Sequence, residues 1–158
     1  MNDVAFEIRR ASIEDIPAIQ EITKEAFIKY IHMAKIKQNI PALEETFEDI
    51  KKDIETKIVL VAFVDGEPVG SVRVEVKPDK TAYFSRFGVR IDYQNGGVGK
   101  AMMSVVDIAM NEADVKKLYL HTSSKVFSLM RFYYARGFYV ESTSKDRGYI
   151  RALLCKEY

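Results

Sequence analysis

The segment from Gln94 to Lys100 (QNGGVGK) has the composition of a phosphate-binding site. Its three glycines, Gly96, Gly97 and Gly99, stand directly before an apolar run, AMMSVVDIAM, that predicts a helix. A helix N-terminus carries unpaired backbone N–H groups and the positive end of the helix dipole, so it attracts anions. Glycine lets this backbone approach a phosphate without an intervening Cβ atom. The segment therefore predicts a site for a phosphate-bearing cofactor.

Two phosphate-binding motifs do not fit this segment. A P-loop requires glycine where the chain has Gln94, and serine or threonine where it has Ala101. The dinucleotide fingerprint fits Gly97 and Gly99 but then meets Met102. That fingerprint normally belongs to the first βαβ unit of its domain, whereas this segment lies past the middle of the chain. Both motifs are excluded.

A third pattern, Q/R-x-x-G-x-G, fits residues 94–99 and resembles the acetyl-CoA loop of the GNAT superfamily of N-acetyltransferases. Its context agrees, because a β-rich run ending at Val89 precedes it and a long helix follows. The resemblance implies that backbone amides of the loop bind the pyrophosphate of CoA. The predicted cofactor-binding residues of this loop are Gln94, Asn95, Gly96, Gly97, Val98, Gly99 and Lys100.

A second motif, YYARGF at residues 133–138, resembles the Y-x-x-x-G-F signature of the same superfamily. The resemblance implies that Tyr133 lies near the cofactor sulfur and protonates the departing thiolate. A phenol with a pKa of about 10 keeps its proton at neutral pH, whereas a thiol with a pKa of about 8.5 is a modest leaving group. The alternative is that Tyr133 only packs its helix against the sheet, beside Phe132 and Phe138.

Gly88 interrupts a β-rich run and predicts either a bulge or a close backbone approach. The resemblance implies a bulge that separates two parallel strands and admits the pantetheine arm. It also implies that Phe87 and Val89 offer main-chain groups to the pantetheine and to the acetyl carbonyl, where an N–H group would stabilise a developing oxyanion.

The general base stays unassigned. Glu75, His121 and Tyr83 are candidates, and a base acting through water is equally compatible with the sequence. The chain also departs from the superfamily pattern, since Val126 stands where an asparagine often contacts CoA, and Ile91 where a proline is frequent.

Apolar periodicity gives the element order β-α-α-β-β-β-α-β-α-β-β, with a hairpin turn at Asp65-Gly66. The second helix is predicted to begin at Pro41, and the segment Tyr30–Gln38, without a clear period, is interpreted as a lid over the acceptor. This order predicts an α/β (α+β) fold, a mixed sheet of about seven strands with helices on both faces. It resembles the GNAT architecture over residues 1–158 as a single domain. The predicted strands are Val4–Arg10, Ile58–Val64, Val69–Val76, Ala82–Val89, Lys117–His121, Phe138–Ser142 and Tyr149–Lys156.

Composition narrows the class of protein. With 158 residues, 47% hydrophobic and 30% charged, the chain predicts one globular domain. Its 24 basic and 23 acidic residues are interspersed and give no basic patch for nucleic acid. One cysteine, Cys155, and two histidines predict neither an internal disulfide nor a metal site. The lack of a secretory leader or a membrane-length apolar run predicts a cytoplasmic protein.

Together, the motifs and the resemblance imply an acetyl-CoA-dependent N-acetyltransferase. It would transfer the acetyl group directly, in a ternary complex, to a primary amine of a small-molecule or peptide acceptor. The alternative is a CoA-binding sensor or partner module of the same fold without catalysis. The acceptor, the acyl-chain length and the oligomeric state stay open, with a homodimer as the default expectation.

Overall fold

The computed structural model describes residues 5–158, which form a seven-stranded mixed sheet with helices on both faces. The observed element order confirms the predicted fold. The predicted first strand begins at Val4, which lies outside the described residues. The strands are β1 (Phe6–Arg10), β2 (Ile58–Val64), β3 (Glu67–Val76), β4 (Thr81–Val89), β5 (Lys117–Ser123), β6 (Tyr139–Ser144) and β7 (Arg151–Glu157); the helices are α1 (Ile16–Ala34), α2 (Phe47–Thr56), α3 (Val98–Glu112) and α4 (Phe127–Ala135).

Successive side chains of strand β2 point alternately into two apolar layers, one on each face of the sheet. Val59 and Val61 pack with α1 and α2, whereas Leu60 and Ala62 belong to the main core with α3 and α4. This alternation is the period of a strand that is buried on both faces. Each layer therefore covers one side of the sheet. No helix within residues 5–158 combines the length and apolarity required to cross a membrane.

The sheet order is β1-β2-β3-β4-β5-β7-β6, and every neighbouring pair except β4–β5 is antiparallel. The parallel pair is short, since it extends only from Thr81 opposite Lys117 to Tyr83 opposite Tyr119. Beyond these residues β4 and β5 are no longer paired. The sheet therefore opens into a gap between its two central strands.

The hairpin between β2 and β3 has the predicted turn. Asp65 and Gly66 both have positive φ, +50° and +80°, as a two-residue type I′ turn requires. This prediction is confirmed.

Two predicted boundaries were wrong. Helix α2 begins at Phe47, because Thr46 and Asp49 form a reciprocal capping box with N···O distances of 3.2 and 2.9 Å. Pro41 begins only a three-residue 3₁₀ turn. Helix α1 continues through Tyr30 to Ala34, although the apolar residues of this stretch show no clear helical period in the sequence. The period is obscured because this last turn of α1 faces a separate apolar cluster.

Candidate active site

A cavity of about 410 Å³ lies in the gap between β4 and β5, with α1 and α4 beside it. At one end it is lined by residues of the segment 94–100, which we call the glycine-loop end. At the other it is lined by Tyr30, Arg86 and His121, which we call the strand end. Tyr133 also lines this cavity. The two sequence motifs therefore meet at one site.

The bulge in β4 and the close approach at Gly88 are both present, at adjacent positions. Arg86 and Phe87 lie opposite the single β3 residue Val72, and Arg86 has φ +54°. A Cβ atom at Gly88 would lie 2.6 Å from the Cβ atom of Ala26, so α1 packs directly on the strand. The bulge turns Phe87 into the cavity, and the glycine admits the helix that closes it.

The glycine loop leads into α3 with free backbone donors. Gly97 has φ +87° and precedes the first helical residue, Val98. The first N–H group to find a carbonyl four residues earlier is that of Ala101, which donates to Gly97 at 3.0 Å. Within residues 5–158, the N–H groups of the three residues before Ala101 have no such partner, and unpaired N–H groups at a helix start are the arrangement that binds a phosphate. At Gly99 a Cβ atom would lie 3.1 Å from the Phe87 ring, so a larger residue would crowd this end.

Most of the predicted cofactor-binding residues line the cavity, but two do not. Val98 is buried in the main core at 5% exposure, and Gly96 is exposed to solvent. The others, which the structure brings together around the cavity, are Phe87, Val89, Gln94, Asn95, Gly97, Gly99 and Lys100.

Gln94 fastens the loop to the rest of the fold. Its Nε2 donates to the Val89 carbonyl at 2.9 Å, and its Oε1 accepts a hydrogen bond from Lys29 of α1. The carbonyl of Val89, a residue predicted to offer main-chain groups to the ligand, is therefore engaged by the protein. Lys29 lines the cavity as well. No motif in the sequence indicates this, because Lys29 lies 65 residues before Gln94.

Tyr133 is both a packing residue and a cavity residue. It is 5% exposed, and its ring is edge-on to Phe84, Phe132 and Phe138, with centroid distances of 6.1, 5.3 and 5.6 Å. Within residues 5–158 its hydroxyl has no hydrogen-bond partner, and burial alone raises its pKa well above the usual value. The phenol thus keeps its proton at neutral pH and has it available for donation.

At the strand end, a tyrosine and a histidine are hydrogen-bonded. The Tyr83 hydroxyl lies 2.6 Å from His121 Nδ1. Burial, together with the charge of Arg151, lowers the pKa of His121, so its imidazole is neutral at neutral pH. His121 lines the cavity, whereas Glu75 is exposed to solvent. Of the three candidate bases, His121 therefore has the best-placed side chain.

The predicted lid is partly helix and partly loop. Tyr30 and Met33 line the cavity from the last turns of α1. The Tyr30 hydroxyl accepts the Ser123 N–H at 2.8 Å and lies 3.4 Å from the Tyr149 hydroxyl. Farther along, Gln38 donates to the Arg147 carbonyl. This segment is thus tied to β5 and to the loop before β7.

Both departures from the superfamily pattern have a structural role here. Val126 is 4% exposed and packs with Ala34 and Ile36. The N–H group of Ile91 donates to Glu25 Oε2 at 3.0 Å. A proline at this position could not form this bond, because it has no backbone N–H group.

A buried cation that the sequence did not indicate supports the strand end. Arg73 is fully buried and bonds Glu45 at 2.5 and 2.8 Å and Asp53 at 2.9 Å. Burial disfavours its charge, but the two carboxylates outweigh that penalty and raise the pKa of Arg73 above its ordinary value. Glu45 also accepts from Arg86 Nε at 3.2 Å. This cluster therefore links the interior of the molecule to the cavity wall.

Comparison with known proteins gives a family match over most of the chain. The sequence model of the Acetyltransferase (GNAT) family matches residues 16–138. A spermidine N(1)-acetyltransferase of Thermoplasma acidophilum is 26% identical over 153 residues, which cover 89% of this chain and 92% of that protein.

Solved structures share the fold. A crystal structure of the PaiA N-acetyltransferase of Thermoplasma acidophilum in complex with coenzyme A superposes with a TM-score of 0.85 at 22% identity, and covers 98% of this chain and 99% of that one. The ribosomal-protein-S18-alanine N-acetyltransferase of Escherichia coli superposes with a TM-score of 0.78 at 16% identity, and covers 97% and 94% of the two chains.

Proposed function

The chain belongs to the GNAT acetyltransferase family, and on that premise we propose that it is an N-acetyltransferase that uses acetyl-CoA. The observation that carries the proposal is the cavity itself. A gap between two parallel strands has free helix N–H groups at one end and the hydroxyl of a buried tyrosine in its wall. A spermidine N(1)-acetyltransferase is a distant relative, which supports an amine as the acceptor.

The residues of the cavity fit acetyl-CoA by their chemistry. The N–H groups of the first turn of α3 would hold phosphate oxygens, with Lys29 and Lys100 adding positive charge. Phe87 and Phe132, stacked with a centroid distance of 5.7 Å, give the middle of the cavity an apolar wall. When bound there, acetyl-CoA would supply an activated acetyl thioester.

We assign a proton-transferring group to each chemical step. The Tyr133 hydroxyl would donate its proton to the departing thiolate sulfur, because burial keeps the phenol neutral. His121, neutral at physiological pH, would accept the proton that the attacking amine loses if its Nδ1–H donates to Tyr83 and its Nε2 is free. The backbone N–H groups of the β4 bulge would polarise the acetyl carbonyl. Direct transfer in a ternary complex requires no covalent enzyme intermediate.

Thermal unfolding with and without acetyl-CoA tests the cofactor. A ligand at about 100 times its Kd stabilises the folded state by about 2.7 kcal/mol. For a domain of this size the expected rise in Tm is about 5–10 °C. ATP and NAD serve as controls, because both share phosphates with CoA but not the pantetheine arm. A rise with all three ligands, or with none, would contradict the proposal.

A second assay tests catalysis. Release of free thiol from acetyl-CoA in the presence of a panel of primary amines is expected to depend on the amine. Binding of acetyl-CoA without amine-dependent release would instead support a CoA-binding module without catalysis.

A further inference from the structure

The charges that line the cavity have one sign. Among the described residues, the lining includes four cationic side chains and neither aspartate nor glutamate. Lys100 lies in the first turn of α3, Lys29 is bonded to Gln94, and the Arg136 guanidinium lies 5.2 Å from the Phe132 ring centroid. These three lie at the glycine-loop end or along the wall next to it. Arg86 is the cation that remains at the strand end.

The Arg86 side chain is held in place by one of its nitrogen atoms. Nε donates to Glu45 Oε2 at 3.2 Å, and the side chain is 27% exposed. Within residues 5–158, the two terminal amino groups of this guanidinium have no hydrogen-bond partner. The bulge in β4 directs the residue toward the cavity, which it lines. Arg86 is thus anchored at its base with the fork of its guanidinium free.

The carboxylates next to Arg86 are already shared among cations. Glu45 binds Arg73 and Arg86, and Asp53 binds Arg73 and Lys57. Two negative charges therefore face three positive ones, and no carboxylate of this cluster is left for a cationic ligand. The cluster keeps a net positive charge next to the strand end.

The other side of the strand end has the same sign. Burial lowers the pKa of His121, and the positive charges of Arg151 and Arg147 act in the same direction. The same two charges act to lower the pKa of Tyr83, against the larger opposite effect of burial, so both arginines are close enough to influence the strand end. Asp146, the nearby acid, pairs with Arg151 at 3.4 Å. These two arginines do not line the cavity, but among the described residues that do, no carboxylate is present to bind a second ammonium group of an acceptor. Such a site disfavours a polyamine.

We propose that the acceptor is a small primary amine that also carries a carboxylate, and that the free fork of Arg86 binds this carboxylate. Arginine suits this role because its planar guanidinium matches a carboxylate in a bidentate geometry. The apolar side chains of Phe27 and Met33 line the cavity too, so amino acids with apolar side chains are the best first probes. This inference rests on the proposed function.

Matched acceptors test it. We would measure acetyl-CoA turnover with methionine, phenylalanine and glutamate, each beside its own α-amide, and with spermidine. The amide replaces the carboxylate by a neutral group of similar shape and leaves the α-amine in place. We expect kcat/KM for the acids to exceed that for the amides by about 10- to 100-fold, the range of a charge-assisted hydrogen bond.

Variants at Arg86 test whether this residue causes the difference in kcat/KM between acids and amides. Arg86→Gln is expected to abolish the difference between acid and amide without changing the KM for acetyl-CoA, and Arg86→Lys to retain part of it. Arg131→Gln, on an exposed part of α4, is expected to keep the wild-type ratio. If the Gln variant does not fold, the wild-type ratio and the Lys variant still decide the question.

The outcomes separate this inference from the proposed function. Preference for the amides or for spermidine would overturn the inference and leave the acetyltransferase intact. Equal rates for acids and amides would overturn it as well. Acetyl-CoA binding without turnover of any amine in the panel would overturn the proposed function, and the inference with it.

Discussion

The two ends of the cavity are built in different ways. The glycine-loop end is made from one short segment, 94–100, of which five residues line the cavity, and its proposed binding groups are mainly backbone N–H groups. The strand end is made from side chains of α1, β4 and β5. One of them, Tyr30, is positioned by Tyr149, a residue 119 positions further along the chain. A backbone site depends on local φ angles, whereas a side-chain site depends on the whole fold. The two ends should therefore respond to different kinds of mutation.

The largest effect is expected where the strand end depends on buried charge. Arg73→Ala leaves Glu45 and Asp53 without their main partner, and breaking a buried ion pair in this way costs about 3–5 kcal/mol of unfolding free energy. Urea denaturation measures it. Lys80→Ala, which removes an ion pair with Asp114 in which both side chains are 60% exposed, should cost less than about 1 kcal/mol. Equal losses for the two variants would refute a supporting role for the cluster.

Removing the hydroxyl group of Tyr133 tests its proposed role as a proton donor. Tyr133→Phe keeps the ring packing and removes the proton donor, so kcat should fall about 100-fold while the Kd for acetyl-CoA stays constant. Steady-state kinetics and thermal shift give the two values. The matched control is Tyr134→Phe, because Tyr134 is the neighbouring residue and is exposed. Unchanged turnover of Tyr133→Phe would leave this tyrosine only its packing role.

A pair of glycines tests the backbone character of the loop. Gly97 and Gly66 both have positive φ, +87° and +80°, and neither has an atom within 4 Å of an added Cβ. Valine at either position strains the backbone by a similar amount. We expect only Gly97→Val to weaken acetyl-CoA binding, by about 10-fold or more, because it displaces the N–H groups of α3. Similar Kd values for the Gly97→Val and Gly66→Val variants would mean that the phosphates bind elsewhere.

The smallest effect is a pH dependence at the strand end. Burial, with the charges of Arg151 and Arg147, lowers the pKa of His121 in the folded state, and Asp146 acts in the opposite sense. The unfolded chain therefore binds more protons between the lowered pKa and about 6.5, so stability falls as pH drops through that range.

His121→Gln should remove this part of the acid destabilisation. The matched control is His32→Gln, since His32 is the other histidine of the chain and is exposed. Chemical denaturation at several pH values between 5 and 7.5 measures the slope. If both variants keep the wild-type slope, His121 is not the titrating group.

The comparison of the two ends also explains what the sequence could predict. The element order, the Asp65-Gly66 hairpin and the sheet followed from local patterns, because turn chemistry and apolar period act over a few residues. The glycine loop is local in the same sense. The predicted start of α2 was wrong because a proline can begin either an α-helix or a short 3₁₀ turn. Pro41 begins a 3₁₀ turn, and the capping box at Thr46 sets the start of the helix.

The strand end could not be predicted in the same way. Lys29 and Arg86 are ordinary charged residues in the sequence, and only the packing of α1 against β4 brings them to one cavity. Arg73 reads as a polar residue in an alternating strand, and its burial is possible only because Glu45 and Asp53 arrive from other elements. Tyr133 is an intermediate case. Its motif could be identified in the sequence, whereas the lack of a hydrogen-bond partner within residues 5–158 is known only from the structure.

The short pairing of β4 and β5 has a consequence for how the molecule opens. Strands β1–β4 and strands β5–β7 share one apolar core. Within residues 5–158, the ladder that joins the two groups of strands has three residue pairs, with one more backbone hydrogen bond, from Lys116 to Lys80, next to it. Partial opening of a protein begins where the fewest backbone hydrogen bonds must break. In hydrogen exchange the two halves should therefore behave as two cooperative units rather than one. A molecule bound in the gap would touch both units and make them unfold together, so that the cavity proposed to bind acetyl-CoA would also couple the two halves of the fold.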